Sequence, residues 1–410
     1  MSVVLVSLVV LALASGLVGW LAMVQRAALV HDMTVRSSRL GASALDIYRS
    51  LSDADATAAS AFLTGGREPP ALRARYLDGI AQAAAALTTA SNNAESGSAS
   101  AAELTVLGTH LPIYTGLVET ARAINRQRFP LGAAYLREAS GLMRTTLLPA
   151  AERLYLSEKA RLASAQRRAA AFPRIAVGLG GLTVVTLIGA QIYLTRRTNR
   201  VINIGLALAT VAALASASWI AWAAVAAAEH LDAGRREGSA QVQLLAEARI
   251  AALQARSDEA LTLLARGSGQ EFEIDYLATL QRLEGSDGLL AQASAGAPDS
   301  ARQAALDATR EDVRKWMSTH SLLRERDDKG LHQEAIELAT GPGPDDVPAL
   351  FGRVDTGLNS SIAERSARFD RETDAAERSL AGLDLAVPVL TLLMVAGSAV
   401  GVQRRLAEYR

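Results

Sequence analysis

The stretch "YLTRRTNRVINIG", residues 193–205, decides the fold because it places three arginines between two long apolar runs. No charged side chain occurs from Ile175 to Thr195 or from Val201 to Ala228. A helix needs about 20 apolar residues to cross about 30 Å of hydrocarbon. The sequence therefore predicts that the chain crosses a membrane, turns at 196–200 and crosses back.

Two further uncharged runs, Met1–Gln25 and Leu385–Gln403, bring the predicted spans to four. Any one run taken alone could be a buried core helix, but four such runs in an otherwise polar chain favour membrane spans. The first run has no preceding basic residue and a long apolar part, which argues against a cleaved signal peptide. The interpretation is therefore a membrane protein with four transmembrane helices.

Arginines next to the spans predict the orientation. Short basic connections stay cytoplasmic, and arginines occupy the 196–200 turn and the end of the chain, although Arg26 argues weakly the other way. The expected cell-membrane topology has both termini cytoplasmic and both large domains extracytoplasmic. The predicted parts are spans at 1–25, 175–195, 201–228 and 385–403, extracytoplasmic four-helix bundles at 26–174 and 229–384, a cytoplasmic turn at 196–200 and a cytoplasmic tail at 404–410.

The two large segments are related to one another in sequence. "RYLDGI" (75–80) aligns with "DYLATL" (275–280), and "YTGLVETARAIN" (114–125) aligns with "WMSTHSLLRERD" (316–327), at offsets of 200 and 202. A nearly constant offset indicates an internal duplication. Ala, Leu, Arg, Glu and Gln dominate both segments, which favours helices. The predicted fold class is all-α, with two tandem four-helix bundles.

Breaks in the helical pattern fall at matched places in the two segments. They are 64–70 and 266–272, 91–100 and 294–300, 128–132 and 326–330, and a later break at 339–348 with a weak counterpart at 138–149. No helix-breaking residue separates the first bundle from the first span. The first and last helices of each bundle are therefore expected to continue directly into the flanking spans.

Charge is distributed unevenly behind a net charge of zero. Residues 26–174 carry 18 basic and 12 acidic side chains, net +6, whereas residues 229–384 carry 18 basic and 29 acidic ones, net −11. No basic block suggests nucleic acid as a partner. The absence of cysteine means that the bundles fold without disulfides.

Residues typical of catalysis are scarce. None of the five histidines has the HExxH spacing of a zinc site, and no phosphate-binding loop occurs. No Asp, Glu, Lys, Arg or His lies within a span, which disfavours an ion pathway. The expectation is a protein that is not an enzyme and has no metal site or other cofactor.

Polar and aromatic residues at matched bundle positions are the candidate binding residues. Trp316, His320, Arg324 and Asp327 follow one another in steps of 4, 4 and 3, and therefore lie on one helix face. An arginine beside aromatic rings can hold a carboxylate. Solvated charges and aromatic core filling remain the alternative. The candidates for ligand or partner binding are Trp316, His320, Arg324, Asp327, Tyr276, Arg122 and Tyr76, and those for cytoplasmic partner contact are Arg196, Arg197, Arg200, Arg404 and Arg405.

Two stretches, "LSDADATAASAFLTGGREPPALRARYLDGIAQAAAAL" (51–87) and "ARFDRETDAAERSLAGLD" (367–384), resemble the actinobacterial GlnX family of four-span membrane proteins. The bundles themselves resemble chemoreceptor-type sensor domains. The GlnX resemblance implies two partners, an extracytoplasmic amino-acid-binding protein and a cytoplasmic Ser/Thr kinase. It implies no particular ligand residues.

The expected function is transmembrane signalling, in which the bundles sense a small ligand, an amino acid in particular, or its solute-binding protein. The predicted inner parts are short, so the output is expected to pass to a separate protein. A scaffold that binds envelope proteins without sensing is the alternative, and a transport component is a weaker one. The sequence leaves open the ligand, the cytoplasmic partner, formation of a homodimer and a start upstream of Met1.

Overall fold

The computed structural model describes residues 2–32, 38–63, 68–126, 131–171, 173–198, 203–265, 269–297 and 299–407. Those residues form helices and short connections and contain no strand, and four helical stretches are long and apolar enough to cross a membrane. The prediction of an all-α membrane protein with four spans is confirmed. The helices are α1 (Ser2–Asp32), α2 (Ser38–Leu63), α3 (Pro70–Asn93), α4 (Ala99–Arg126), α5 (Leu131–Leu142), α6 (Leu148–Ala170), α7 (Arg174–Thr198), α8 (Ile204–Ala233), α9 (Ala240–Leu264), α10 (Gln270–Glu284), α11 (Leu289–Ala295), α12 (Ser300–Asp328), α13 (His332–Thr340), α14 (Val347–Leu380) and α15 (Leu383–Ala407).

The chain divides into two compact units. The membrane unit consists of Met1–Val35, Ala163–Arg235 and Asp370–Arg410 and contains the four spans. The bundle unit consists of a first segment, Arg36–Leu162, and a second segment, Arg236–Phe369.

Within the membrane unit, α8 and α15 approach closely because both present glycine at their crossing. A Cβ atom on Gly205 would lie 2.6 Å from the Gly397 carbonyl oxygen and 2.6 Å from the Gly401 nitrogen. Asn203 caps α8 by accepting from the Leu206 amide, and its Nδ2 donates to the Gly401 carbonyl at 2.8 Å. Small residues thus set the spacing of the third and fourth spans, as is usual in membranes.

The first segment of the bundle unit forms four helices, as predicted, but the fourth differs in detail. The weak break expected at 138–149 is wrong, because the chain stays helical from Leu131 to Ala170. A π-helical turn at Met143–Leu147 joins α5 to α6 and accommodates the irregularity without ending the helix.

The second segment repeats these helices at nearly the same offset, with two additional interruptions. Its α9 corresponds to α2 and its α12 to α4. A turn at 285–288, which the sequence did not predict, separates α10 from α11, and the predicted break at 339–348 separates α13 from α14. Asp299 caps α12 by accepting from the Arg302 amide at 2.9 Å, and Gly330 follows its end with a φ of 81°.

The two segments share one hydrophobic core, which the sequence did not predict. The corresponding helices α2 and α9 pack against each other. Nearly every residue of α9 from Leu245 to Leu263 is buried, because α9 lies between its own segment and the first one. A helix buried on all sides shows no amphipathic pattern, so its position could not be recognised from periodicity.

The predicted continuity of bundle helices into spans holds at one junction and is wrong at two. The helix that starts at Ile204 continues through a π-helical turn at Gly234–Ser239 into α9. In contrast, Pro173 separates α6 from α7, and Gly382, with a φ of 82°, separates α14 from α15. Proline has no N–H to donate to the preceding helical turn, so a helix is interrupted there. The positive φ of Gly382 is typical of a glycine that follows the end of a helix. The junction at 33–37 lies outside the described residues.

Candidate functional site

The predicted residues of the second segment come together on α12, but most of them are buried. Trp316 and His320 are 0% and 3% exposed. Tyr276 of α10 stacks on the His320 ring, with centroids 3.7 Å apart, and meets Trp316 edge-on at 6.0 Å. These three rings therefore form part of the core and present no open surface to a ligand.

Glu259 of α9 is the centre of this cluster and was missed by sequence reasoning. Its carboxylate is completely buried and accepts from Trp316 Nε1 at 3.2 Å and from Arg256 Nη1 at 3.1 Å. It also faces His320 Nδ1 at 2.9 Å, while His320 Nε2 lies 3.2 Å from both oxygens of Glu273. A buried carboxylate surrounded by two cations and an indole N–H is fully paired.

His320 is positively charged at neutral pH in this arrangement. Burial by itself would lower its pKa, but the hydrogen bonds to Glu259 and Glu273 outweigh burial and raise the pKa to about 9. Burial also acts to raise the pKa of Glu273, but His320 and Arg324 reverse that effect and hold the pKa below its usual value. Both imidazole nitrogens therefore act as donors, and the cluster is a network of charges.

Arg324 and Asp327 lie at the partly exposed end of the same helix face. Arg324 contacts Asp327 at 2.8 Å, Asp328 at 2.9 Å and Glu273 at 3.4 Å, and Asp327 also accepts from His332 at 2.5 Å. An open pocket of about 500 Å³ is lined by Thr262, Gly269, Gln270, Arg324, Asp327, Asp328 and His332. The charges that face it are already paired with one another.

In the first segment, Arg122 is built into a comparable place. It is 7% exposed, pairs with Glu68 and Glu119 at 2.9 Å each, and lies 4.0 Å above the centroid of the Tyr76 ring. Cation–π contact and two ion pairs hold this guanidinium in one position. Arg122 and Tyr76 are thus brought together as predicted, in a closed arrangement.

A second residue that the sequence did not indicate is Asp55 of α2. It is buried and accepts from Tyr114 Oη at 3.1 Å and from Ser140 Oγ at 3.0 Å. Burial raises its pKa to about 6, and the two hydroxyl hydrogen bonds and Arg144 offset only part of this rise. Each segment therefore places one acid from its first helix against the aromatic residue at the matched position, Tyr114 or Trp316. The available signal was an acid within an alanine-rich helix.

The predicted cytoplasmic contact residues are only partly described. Arg196 lies in the last turn of α7 and is exposed. Arg197, Arg404 and Arg405 are in helices, but their side chains are not among the described ones, and Arg200 lies outside the described residues. Among the described residues, no group of His, Cys, Asp and Glu could hold a metal ion.

Comparison with known proteins found a similarity in the first segment. Residues 29–167 match the family model of an actinobacterial sensor domain, which covers the first segment and leaves the second unmatched. No match was found among curated proteins or among solved structures. The chain thus has four candidate membrane-spanning helices, and its residues 29–167 are similar to a sensor domain.

Proposed function

We propose that this protein is a non-catalytic transmembrane signalling protein. Its bundle unit senses a small ligand, an amino acid in particular, or a loaded solute-binding protein, and a separate cytoplasmic protein receives the signal. The observation that carries the proposal is the sensor-domain match at 29–167 in a chain with four candidate spans. One uninterrupted helical stretch from Ile204 to Leu264 supports it, because it joins a span to the core of the bundle unit.

The proposed orientation places both termini in the cytoplasm. It rests on the arginines of the 196–200 turn and on Arg404 and Arg405, since short basic connections stay inside. The bundle unit is then outside the cell, where a solute-binding protein can reach it. The acidic second segment, net −11 over 229–384, favours a basic surface on that partner.

The cytoplasmic partner that we propose is a Ser/Thr kinase, following the resemblance to the GlnX family. Arg196 is exposed at the end of α7 and is available for contact. An acidic patch on the kinase is the chemistry that these arginines would recognise.

In vivo photo-crosslinking tests this function. A photoreactive amino acid at Arg196, in the full chain and in its native host, should crosslink to a Ser/Thr kinase. The yield should change when amino acids are added to starved cells. The same group at Glu95, an exposed residue of the bundle unit, should crosslink to a solute-binding protein and serves as the control for sidedness.

The outcome also separates sensing from the scaffold alternative. The closed packing around Trp316, His320 and Arg122 favours a scaffold, since such residues are unavailable to a ligand. A crosslinking pattern that does not respond to amino-acid supply and contains no kinase would support the scaffold and refute signalling.

A further inference from the structure

The π-helical turn at Met143–Leu147 directs one arginine of the first segment towards the second. Arg144 Nη2 lies 3.2 Å from Asp258 Oδ1 and 3.2 Å from Asp275 Oδ2. Its guanidinium also lies 4.9 Å from the centroid of the Phe272 ring. Single π-helical turns inside α-helices frequently occur at functional sites, where they re-aim a side chain.

Next to Arg144 is an open cavity of about 470 Å³ in the bundle unit, lined by residues of both of its segments. Its walls include Tyr48, Arg144 and Glu152 from the first segment and Ser257, Asp258 and Asp275 from the second. Tyr48, Ser257 and Asp258 are buried, whereas Asp275 is half-exposed. Its volume is in the range of small-molecule sites, about 300 to 1,000 Å³.

Two of the residues that line this cavity each carry a buried polar atom with no hydrogen-bond partner among the described residues. They are Arg144 Nη1 and Ser257 Oγ, and Ser257 as a whole is 5% exposed. Buried donors without partners are uncommon in folded proteins and destabilise them. An oxygen acceptor, in particular a carboxylate, is the group that both atoms lack.

Acidic groups on the same cavity attract a cation. Asp258 is buried, and burial raises its pKa to about 7. Arg144 opposes this rise in pKa without cancelling it, and Asp275 adds to the rise. Asp275 and Glu152 complete an acidic wall beside the arginine. A metal ion fits poorly, because no cluster of metal ligands occurs in the part of the chain that the structure describes.

We propose that this cavity binds a small zwitterion, an α-amino acid, whose carboxylate accepts from the Arg144 guanidinium and the Ser257 hydroxyl and whose ammonium group pairs with Asp275 and Glu152. The ligand thereby contacts both segments and stabilises the arrangement in which they share a core. This site deepens the proposed sensing function and rests on it.

Thermal unfolding of the full chain in lipid nanodiscs tests the site. Each of the twenty proteinogenic L-amino acids is added in turn, and the best of them is compared with its amide and its N-acetyl derivative, which lack the carboxylate and the ammonium charge respectively. At least one amino acid should raise the unfolding temperature in a concentration-dependent manner. Both derivatives should bind at least about tenfold more weakly than that amino acid.

Two variants locate the binding. Ser257→Ala removes a hydroxyl that has no partner, so the free protein should remain as stable as the parent while the dissociation constant rises about 3- to 10-fold. Asp275→Asn should weaken binding by a similar factor. Glu311→Gln, which removes an exposed acid paired with Arg314 away from the cavity, is the matched control and should bind normally.

Binding that is unchanged in Ser257→Ala and Asp275→Asn would overturn the assignment of the cavity. The absence of any shift with all twenty amino acids in the folded parent protein would overturn direct binding. In that second case, a response of the Arg196 crosslink to amino-acid supply would still support sensing through a binding protein, so the two proposals fail separately.

Discussion

Each segment of the bundle unit has a buried acid next to the aromatic residue at the matched position, but the two acids have different hydrogen-bond partners. Asp55 is held by two hydroxyl groups, from Tyr114 and Ser140, and its pKa is raised to about 6, with burial as the main cause. Glu259 is instead paired with Arg256 and faces His320. Burial thus dominates at the first acid, whereas the second acid is part of a charged network.

Two differences between the copies contribute to this contrast. At the offset of 202 residues, His320 corresponds to Val118 and Arg256 to Ala54, so the first segment lacks both cations. Arg144 is a cation that acts on Asp55, but it offsets only part of the rise in pKa that burial causes. The same helical framework therefore holds a buried acid either mainly through hydroxyl groups or through cations.

The largest effect is expected from Glu259→Gln. This change leaves the cations of Arg256 and His320 buried without their anion, and breaking a buried ion pair costs about 3–5 kcal/mol. Unfolding of the full chain can be followed by the fluorescence of Trp316, with the three tryptophans of the spans replaced by phenylalanine. The control is Glu325→Gln, an exposed partner of Lys329. Equal unfolding temperatures for the two variants would contradict the network.

The second-largest effect is expected on the pH dependence of stability, in the variant Asp55→Asn. Because the folded-state pKa of Asp55 is about 6, above the unfolded value of 3.8, the folded state binds the proton more tightly. Protonated Asp55 thus stabilises the folded state fully below pH 3.8. This stabilisation, about 3 kcal/mol in the free energy of unfolding, is lost as pH rises through 6.

Asp55→Asn should therefore flatten the fall in stability between pH 4 and pH 7, measured by chemical denaturation at each pH. Asp46→Asn removes an exposed acid of the same helix and should leave the fall unchanged. Protonated His320 also stabilises the folded state, because its pKa is about 9 there and 6.5 in the unfolded state. This stabilisation is lost at higher pH than that of Asp55, as pH rises through 9. A variant profile identical to the parent's would rule out titration of Asp55.

A smaller effect separates the matched arginines. Arg122→Ala removes two ion pairs and the contact with Tyr76 from a buried position and should cost about 2 kcal/mol. Arg324 is more exposed, and solvent screening should limit the loss in Arg324→Ala to about 1 kcal/mol. If Arg324 also serves signalling, the Arg196 crosslink should lose its response in Arg324→Ala and keep it in Arg122→Ala. A larger loss of stability in Arg324→Ala than in Arg122→Ala would mean that Arg324 contributes more to the folded state than its exposure suggests.

The smallest effect is expected from Tyr76→Phe and Tyr276→Phe. Both hydroxyls are buried and have no hydrogen-bond partner among the described residues. Removing them should change the unfolding free energy by less than about 1 kcal/mol, and a gain is as acceptable as a loss. Denaturant titration of the two variants compares the copies directly. A loss above 2 kcal/mol in one copy would reveal a bond to that hydroxyl.

Local features of the fold could be predicted from the sequence, and its long-range packing could not. Uncharged runs gave the four spans, and composition and glycine positions gave most helix ends, because both depend on neighbouring residues. The packing of α2 on α9 depends on which helix faces are opposed, and α9 has no distinct face. Continuity through Met143–Leu147 was missed because a π-helical turn has no strong sequence signature.

The candidate residues show the same limit. Spacing placed Trp316, His320 and Arg324 on one helix face, and the structure has them there. Spacing along one helix cannot reveal the acid that another helix supplies, so Glu259 was missed and buried residues were expected to be accessible. A pair such as Arg256 and Glu259, three residues apart in an alanine-rich helix, is the pattern that would have indicated a buried ion pair.

The packing of α2 against α9 has a consequence for how the two copies can diverge. In a homodimer of identical chains, every substitution appears on both sides of the interface. Here one peptide chain carries both copies, so their association is intramolecular and independent of protein concentration, and each side mutates alone. Arg144 illustrates this freedom, since it meets Asp258 and Asp275 across the interface while the residue at its own matched position is Asp346. Two similar segments in one chain can thus form a contact with a distinct donor side and acceptor side.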